Sequence, residues 1–142
     1  MSLSRSVVIT GGCSGIGLAM ARHFSSQGHR VTILDVVSEE KGQETAQALS
    51  TNQAQVEAFF KRCNVASWDE QAAAFKEVYE RNGSIDIVMA NAGISGRGDA
   101  SVISVGEEEL CKPGLSVLDV NLNGVVYCMP PFCCLILEYA GY

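Results

Sequence analysis

The sequence predicts an α/β fold in which helices pack on both faces of a doubly wound parallel sheet. Three observations support this prediction. Apolar runs rich in β-branched residues alternate with segments whose apolar residues recur at helical spacing. These runs are mostly apolar throughout, which is typical of parallel strands buried on both faces. A glycine-rich turn joins the first run directly to the first helical segment, and right-handed crossovers between four such strands give the order 3-2-1-4.

Composition indicates one globular domain whose partner is a small molecule. The chain has 142 residues, of which 47% are apolar and 18% charged, and its formal net charge is −6. This length can bury one core, and the negative charge argues against nucleic acid or an anionic membrane as partner. A charge-free stretch over residues 120–137 is long enough for a short membrane span. Because Pro130 and Pro131 would interrupt a lipid-exposed helix there, we expect no membrane span.

The N-terminal residues and the cysteines favour a cytoplasmic location. The first six residues lack the basic segment, apolar core and cleavage site of a secretory signal, so export is not expected. The six cysteines form no Cys-x-x-Cys pair and have no histidines at metal-ligand spacing, so no metal site is expected. They are predicted to be free thiols in a reducing cytosol.

Four elements are predicted before residue 51. They are, in chain order, a strand over residues 5–10, a helix over 15–27, a strand over 30–35 and a helix over 38–50. The residues predicted to face the core are Ile16, Met20 and Phe24 in the first helix and Ala46 and Leu49 in the second. Gly28 ends the first helix. Asp35 is the last residue of the second strand.

Four further elements are predicted after residue 58. They are a strand over residues 59–65, a helix that begins after Ser67 and ends at Gly83, a strand over 85–89 and a helix over 114–127. Ser67 and Glu70 are expected to form a capping box. The predicted core face of the first of these helices consists of Trp68, Ala72, Phe75 and Tyr79. Residues 94–106 read as a loop and residues 107–109 as a solvated charge run.

The last predicted helix carries an apolar stripe and a proline stop. The stripe, which should cross the surface of the sheet, consists of Leu115, Leu118, Leu122 and Val126. Proline disfavours helical geometry in the residue before it, so we expect the helix to end by Tyr127 or Cys128, ahead of Pro130.

The glycine-rich turn over residues 10–17 indicates a phosphate site. Glycine lets the main chain approach a ligand closely, and amides at the start of a helix point outward where the helix dipole is positive. An acidic residue, Asp35, closes the next strand, as in dinucleotide sites. The crevice between strands 1 and 4, where the strand order changes direction, would hold the ligand. The alternative is an ordinary tight turn.

Several further motifs occur in the order of one enzyme family. The motifs are Thr10-Gly-x-x-x-Gly15-x-Gly17, Asp35 after the second strand, Cys63-Asn64-Val65 after the third, Asn91-Ala92-Gly93 after the fourth and Val120-Asn121-Leu122 on the last helix. With them, residues 5–127 resemble the N-terminal half of a short-chain dehydrogenase/reductase. The resemblance implies a Rossmann-type sheet whose later strands are missing. Residues 38–42 and 85–87 are similar to hydroxyprostaglandin dehydrogenase-like members of that family.

The resemblance also implies a nicotinamide dinucleotide site. It assigns Gly11, Ser14, Gly15, Ile16 and Gly17 to the diphosphate, Asp35 to the adenosine ribose, Asn64 and Val65 to the adenine, and Asn91, Ala92 and Gly93 to the side of the cofactor. The family usually has an acidic residue where Asn64 stands, and an amide oxygen can also accept from the adenine amine. The charge of Asp35 would repel a 2′-phosphate, and no Lys or Arg at residues 12–14 or 36–37 offsets it. NAD is therefore expected in preference to NADP.

The catalytic residues that the resemblance implies are mostly missing. Asn121 matches the asparagine that holds a water in the family's proton relay; the alternative is a buried amide that stabilises a helix. The family's chemistry also needs a serine, a tyrosine and a lysine four residues after the tyrosine, because a phenol with its usual pKa near 10 is a poor base at neutral pH. No tyrosine of this sequence has a lysine four residues later.

Three hypotheses follow from these expectations. The chain is expected to comprise an NAD(P)-binding half-domain over residues 1–127 and a divergent apolar tail over residues 128–142. The first function is an NAD-linked oxidoreductase by descent, acting on alcohols or ketones only in a complete form and inactive alone. The second is a non-catalytic dinucleotide-binding module. The third hypothesis assigns no function and regards the chain as an unstable product of a truncated or mispredicted gene.

Overall fold

The computed structural model describes residues 4–50, 56–95 and 114–139. In chain order the elements are β1 (Ser6–Thr10), α1 (Gly15–Ser26), β2 (Arg30–Asp35), α2 (Glu39–Leu49), β3 (Phe59–Arg62), α3 (Trp68–Asn82), β4 (Ile87–Met89), α4 (Ser116–Leu118), a π-helical turn (Asp119–Asn123) and α5 (Gly124–Tyr139). Most of the predicted loop over 94–106 and the charge run over 107–109 lie outside the described residues.

The strands form one parallel sheet in the predicted order, β3-β2-β1-β4. In its register Val7 of β1 lies opposite Val31 of β2 and Ile87 of β4, and Thr32 of β2 lies opposite Phe59 of β3. Every residue of β1 is buried. The central strand is therefore covered on both faces, as the apolar runs predicted.

Two apolar clusters lie on opposite faces of this sheet, because the side chains of a strand alternate between its faces. Val7 and Ile9 of β1 belong to the cluster that includes Ala21 of α1 and Leu49 of α2. Val8 belongs to the other cluster, which α3 and α5 complete with Phe75, Val78 and Cys128. The doubly wound arrangement is confirmed.

The predicted core faces of α1 and α3 are partly wrong. Ile16 is 74% exposed, and α1 instead buries Gly17, Ala21 and Ser25. Trp68 is 44% exposed, although Phe75 on the same predicted face is buried. The residues that α3 buries are Gln71, Ala74, Phe75 and Val78. Both errors have one cause: several residues that contact the sheet are small or polar, so an apolar pattern does not mark them.

The start of α3 differs from the predicted capping box in one bond. Ser67 Oγ accepts from the Glu70 amide at 3.3 Å, as predicted. The Glu70 carboxylate accepts from the backbone amide of Asn64 at 2.8 Å rather than from that of Ser67. The Ser67 backbone amide instead donates to the backbone carbonyl of Asn64 at 3.0 Å. Gly83, with a φ of 74°, ends α3 as predicted.

Strands β3 and β4 are shorter than predicted. β3 ends at Arg62 and not at Val65, because the chain leaves the sheet after Cys63, whose amide donates to the Asp35 carbonyl at 2.9 Å. β4 begins at Ile87. Before it, the Ser6 backbone amide donates to the Asp86 carboxylate at 2.6 Å, and the Asp86 backbone amide donates to the Ser6 carbonyl at 2.9 Å.

The expectation that the last helix ends by Tyr127 or Cys128 is wrong. α5 runs from Gly124 to Tyr139, through Pro130 and Pro131. A proline inside a helix removes one backbone bond and costs about 3 kcal/mol, but it commonly kinks the helix rather than ending it. The first turns of α5 are held to α3 by hydrogen bonds from Gln71 to Gly124 and from Cys128 to Gln71, which fix the direction of the helix before the prolines.

The apolar stripe of the last helices does not pack on the sheet. The stripe residues Leu115, Leu118, Leu122 and Val126 are about half exposed. Gly124 and Cys128 are buried instead. In the described part of the chain β4 pairs only with β1, so no described strand covers its other edge. The stripe is likewise not covered by any described element. None of the described helices is both long enough and apolar enough to cross a membrane.

Cys13, Cys63, Cys128 and Cys133 are free thiols, as predicted, and the first three of them are buried. Burial, with the charge of Asp35 second, raises the pKa of the Cys13 thiol from 9.0 to about 11. Burial, with the charge of Glu70 second, raises the pKa of Cys63 to about 12. Burial also raises the pKa of Cys128 to about 11. Cys133 is exposed.

Alkylation should therefore distinguish the cysteines. With iodoacetamide at pH 8, Cys133 is expected to react before Cys13, Cys63 and Cys128, because those three thiols are buried and pKa values of about 11 to 12 leave them with few thiolates at that pH. Digestion and mass spectrometry over a time course measure this order. In urea all cysteines should react at similar rates. Labelling of folded Cys13 as fast as Cys133 would contradict the burial described above.

Gly42→Ala is expected to destabilise the fold. A Cβ at Gly42 would lie 2.2 to 2.3 Å from ring atoms of Phe60. Alanine is favoured over glycine in a helix by about 1 kcal/mol, but overpacking a core costs about 1 to 3 kcal/mol. We expect a net loss of about 1 kcal/mol in the free energy of unfolding, measured with urea. The exposed control Gln47→Ala should change it by less than about 0.5 kcal/mol, and a gain for Gly42→Ala would refute the contact.

Candidate functional site

The glycine turn between β1 and α1 brings the backbone into very close contact. Gly11 has a φ of 66°, and a Cβ there would lie 2.9 Å from Ala92 Cα. A Cβ at Gly17 would lie 2.1 Å from the Gly11 carbonyl oxygen and 2.7 Å from Asn91 Nδ2. Real Cβ atoms do not approach so closely. These two positions therefore require glycine, and the first turn of α1 lies directly against the end of β1.

The start of α1 differs from the starts of α2 and α3. Ser14, the N-cap residue of α1, makes no side-chain capping bond, and the first turn holds no acidic residue. In α2 Ser38 accepts from the Lys41 amide, and two glutamates lie in the first turn. In α3 Ser67 caps the helix in the same way, and two acidic residues follow. The positive end of the α1 dipole is therefore left for an anion.

A crevice of about 480 Å³ opens in front of this turn, a size typical of ligand sites. The described residues that line it are Gly11, Ser14, Gly15, Ile16, Leu34, Asp35, Val36, Cys63, Asn64, Val65, Asn91, Ala92, Gly93, Ile94 and Val120. They include every predicted site residue except Gly17 and Asn121. Gly17 lies behind the turn, and Asn121 contacts Ile94 in the wall. Leu34, Val36, Cys63, Ile94 and Val120 were not predicted, although each adjoins a predicted motif residue in sequence.

Asp35 closes the crevice beside the glycine turn. Its Oδ2 accepts from the Cys13 amide at 3.0 Å, and its Oδ1 accepts from the Val36 amide at 2.8 Å. A carboxylate offers about four acceptor positions. Both oxygens can therefore accept further hydrogen bonds, such as those from ribose hydroxyls. Of the described residues that line the crevice, Asp35 alone carries a charge.

Asn64 and Val65 form the wall next to Asp35. Asn64 Oδ1 accepts from the Ala66 amide at 3.0 Å, so this amide oxygen already orders its own loop. Val65 is buried and lies against Gly124 of α5, where a Cβ would be 2.9 Å from Val65 Cγ2. The loop after β3 is thus fixed both by local bonds and by the last helix.

Asn91 joins the loop after β4 to the end of β1. Its Nδ2 donates to the carbonyl oxygens of Thr10 and Gly11, at 3.1 and 3.4 Å. Thr10 Oγ1 accepts from the amides of Asn91 and Ala92, both at 3.0 Å. Asn91 therefore ties the loop after β4 to the end of β1.

Asn121 lies in the π-helical turn, and its side chain binds the backbone of Ile94 in the crevice wall that follows β4. Its Oδ1 accepts from the Ile94 amide at 2.8 Å, and its Nδ2 donates to the Ile94 carbonyl at 2.9 Å. The side chain is exposed, so the alternative of a buried amide that stabilises its own helix is wrong. Its amide orders the loop after β4 instead, and π-helical turns frequently occur at functional sites.

The polar groups of the crevice are backbone amides, the Asp35 carboxylate and a few neutral side chains, those of Ser14, Asn64 and Asn91 among them. No group of three or more His, Cys, Asp or Glu among the described residues could hold a metal ion. An anion would meet amides at the start of α1, and hydroxyl groups would meet Asp35. The arrangement suits a ligand with a phosphate next to a polyhydroxylated ring.

Comparisons with known proteins agree with this geometry. The short chain dehydrogenase family matches residues 5–138. The 5'-hydroxyaverantin dehydrogenase of Dothistroma septosporum is 39% identical over 132 residues, which cover 87% of this chain and 42% of that protein. The NADP-dependent dehydrogenase clz5 of Cochliobolus lunatus is 38% identical over 130 residues, which cover 87% of this chain and 43% of that protein.

A solved structure is similar over nearly the whole chain. The alcohol dehydrogenase from the archaeon Thermococcus sibiricus, complexed with 5-hydroxy-NADP, matches with a TM-score of 0.78 and 27% identity over 98% of this chain and 56% of that one. The chain spans less than half the length of the two curated relatives. Neither relative is a hydroxyprostaglandin dehydrogenase, so that narrower resemblance stays a prediction.

The family match reaches residue 138 and so includes most of the segment predicted as a divergent tail. The parallel sheet of this chain and its likeness to a solved alcohol dehydrogenase agree with the family match. The chain belongs to the short-chain dehydrogenase family and has its Rossmann-type fold.

Proposed function

We propose that the crevice binds a nicotinamide dinucleotide, with NAD favoured over NADP. The observation that carries this proposal is the uncapped start of α1, which lies beside Asp35 in the same crevice. Backbone amides at the glycine turn would hold the diphosphate, and Asp35 would accept from the adenosine ribose hydroxyls. The bound 5-hydroxy-NADP of the Thermococcus sibiricus enzyme supports a ligand of this class.

The preference for NAD depends on charge. A 2′-phosphate would lie beside Asp35, and two like charges about 4 Å apart repel by about 4 kcal/mol at an effective dielectric constant near 20. No Lys or Arg at residues 12–14 or 36–37 offsets this repulsion. One relative is named as NADP-dependent. The affinities of this chain for NAD and for NADP therefore have to be compared directly.

The remaining residues of the site would hold the rest of the dinucleotide. Asn64 and Val65 would contact the adenine, and Asn91, Ala92 and Gly93 would lie along the cofactor. When bound, the nicotinamide supplies the carbon that exchanges a hydride with an alcohol or ketone. Asn121 would keep the wall at Ile94 in place and, as the family resemblance implies, hold a water of a proton relay.

The residues that line the crevice support a cofactor-binding role for this chain. No tyrosine in it has a lysine four residues later, so the chain holds no such pair to take up the proton of an alcohol. We propose that the chain supplies the cofactor-binding half of an alcohol or ketone oxidoreductase. The alternative, favoured by the same observation, is a non-catalytic dinucleotide-binding module.

The proposed compartment is the cytoplasm. Cys13, Cys63, Cys128 and Cys133 are free thiols, which a reducing compartment maintains. A small-molecule alcohol or ketone is proposed as a substrate only for a complete form of the enzyme.

Calorimetric titration is expected to show NAD binding at least about tenfold tighter than NADP, because of the repulsion at Asp35. Asp35→Asn removes the charge and keeps one acceptor oxygen, so the ratio of the two dissociation constants should fall toward one. Glu39→Gln is the matched control: it removes an acidic charge at the start of α2, outside the crevice, and should leave the ratio unchanged. Tighter binding of NADP by the wild type would overturn the assignment of Asp35.

Gly17→Ala is expected to weaken dinucleotide binding by roughly tenfold to a hundredfold, because its Cβ would lie 2.1 Å from the Gly11 carbonyl and displace the turn. Gly28→Asn, two residues beyond the other end of α1, is the control. Gly28 has a φ of 80° and open space around it, and asparagine tolerates that conformation. Thermal midpoints verify that both variants fold. Equal affinities for the two variants would argue against the turn as the binding element.

A further inference from the structure

A buried glutamine on α3 connects two walls of the crevice without lining it. Gln71 is 0% exposed, which is rare for a glutamine. Its Nε2 donates to the Val65 carbonyl at 2.6 Å and to the Gly124 carbonyl at 2.9 Å. Its Oε1 accepts from Cys128 Sγ at 3.1 Å. Both N–H groups are therefore used, and each leads to a different segment of the chain.

The first segment is the wall predicted to contact the adenine. Val65 lines the crevice two residues after Cys63. The Val65 carbonyl accepts from Gln71, and its side chain lies against Gly124. The position of Val65 is therefore set from behind, by α3 and α5.

The second segment begins at Gly124 and leads to the crevice wall at Ile94. Gly124 is the first residue of α5 and directly follows the π-helical turn that carries Asn121. Asn121 in turn makes two hydrogen bonds to the backbone of Ile94, which lines the crevice. A continuous series of contacts thus runs from Val65 through Gln71 and Gly124 to Asn121 and Ile94.

We propose that Gln71 is a positioning residue that sets the distance between the Val65 wall and the Ile94 wall of the crevice. The inference rests on the proposed dinucleotide site. A dinucleotide that spans the crevice needs both walls at the correct separation, whereas a ligand that contacts only the Val65 wall needs one. Gln71 would therefore act on the affinity for the whole dinucleotide and much less on the affinity for its adenosine part.

Gln71→Met tests this role, because methionine has a similar volume and cannot donate to either carbonyl. The buried carbonyls of Val65 and Gly124 lose the Gln71 donor, which favours separation of the two segments. We expect the dissociation constant for NAD to rise about tenfold and that for AMP to change less than about twofold. Calorimetric titration with NAD and with AMP measures both.

Two further variants separate positioning from general loss of stability. Val78→Ala removes buried volume from the same helix and leaves the Gln71 hydrogen-bond donor in place. With a similar loss in thermal midpoint it should leave the ratio of the NAD and AMP constants unchanged. Gly124→Ala strains the contact between α5 and Val65 without removing a hydrogen-bond donor, since its Cβ would lie 2.9 Å from Val65 Cγ2. It should raise the NAD constant selectively and serves if Gln71→Met fails to fold.

The single tryptophan provides a second measurement, independent of any ligand. Trp68 of α3 lies 5.9 Å from the ring of Tyr127 on α5, in an edge-to-face arrangement. If Gln71→Met loosens α5 from α3, the emission of Trp68 should shift to longer wavelength in the absence of dinucleotide. Val78→Ala should leave the emission maximum unchanged.

The outcomes are distinct. Wild-type protein that binds neither NAD nor NADP refutes the proposed function and, with it, the positioning role. Wild-type protein that binds NAD while Gln71→Met and Gly124→Ala bind it equally well refutes the positioning role alone. Equal loss of NAD and AMP affinity in Gln71→Met assigns the residue to general stability and also overturns the proposal. A selective loss for NAD supports it.

Discussion

The contact between Gly17 and the carbonyl of Gly11 determines how the rest of the site is built. Without side chains at these positions, α1 begins directly against the end of β1, and its first amides face the crevice. Asn91 donates to the same carbonyl and to that of Thr10, so β4 and the loop after it are positioned by the same point. Asp35 binds the Cys13 amide within the turn. Three strands therefore end at one glycine-rich segment.

Features that depend on neighbours in sequence could be predicted. The four strands, their order, the end of α3 at Gly83 and the motif residues around the crevice follow from local patterns. The face of α1 could not be predicted, because Gly17 and Ser25 contact the core where Ile16 does not. The end of the last helix was also predicted wrongly, because the local cost of Pro130 and Pro131 did not include the bonds that hold α5 to α3.

In the site, the sequence indicated which residues lie at the crevice but not how they are held there. The resemblance placed Asn64 and Asn121 near a ligand. It did not indicate that the Glu70 carboxylate accepts from the backbone amide of Asn64. Nor did it indicate that Asn121 makes two hydrogen bonds to Ile94, which is 27 residues away in sequence. Gln71 had no motif of its own. Such pairings depend on three-dimensional proximity, which a single sequence does not encode in any short pattern.

No Lys or Arg is among the described residues that line the crevice, and this has a consequence for the effect of salt. Most anion sites attract their ligands through lysine and arginine, so added salt weakens binding. Of the described residues that line this crevice, Asp35 alone is charged, and the whole chain carries a net charge of −6. Its long-range field therefore repels an anionic dinucleotide, whereas the amide dipoles of the proposed diphosphate site act only at short range. Raising the ionic strength would screen the repulsion, so association would become faster in salt rather than slower.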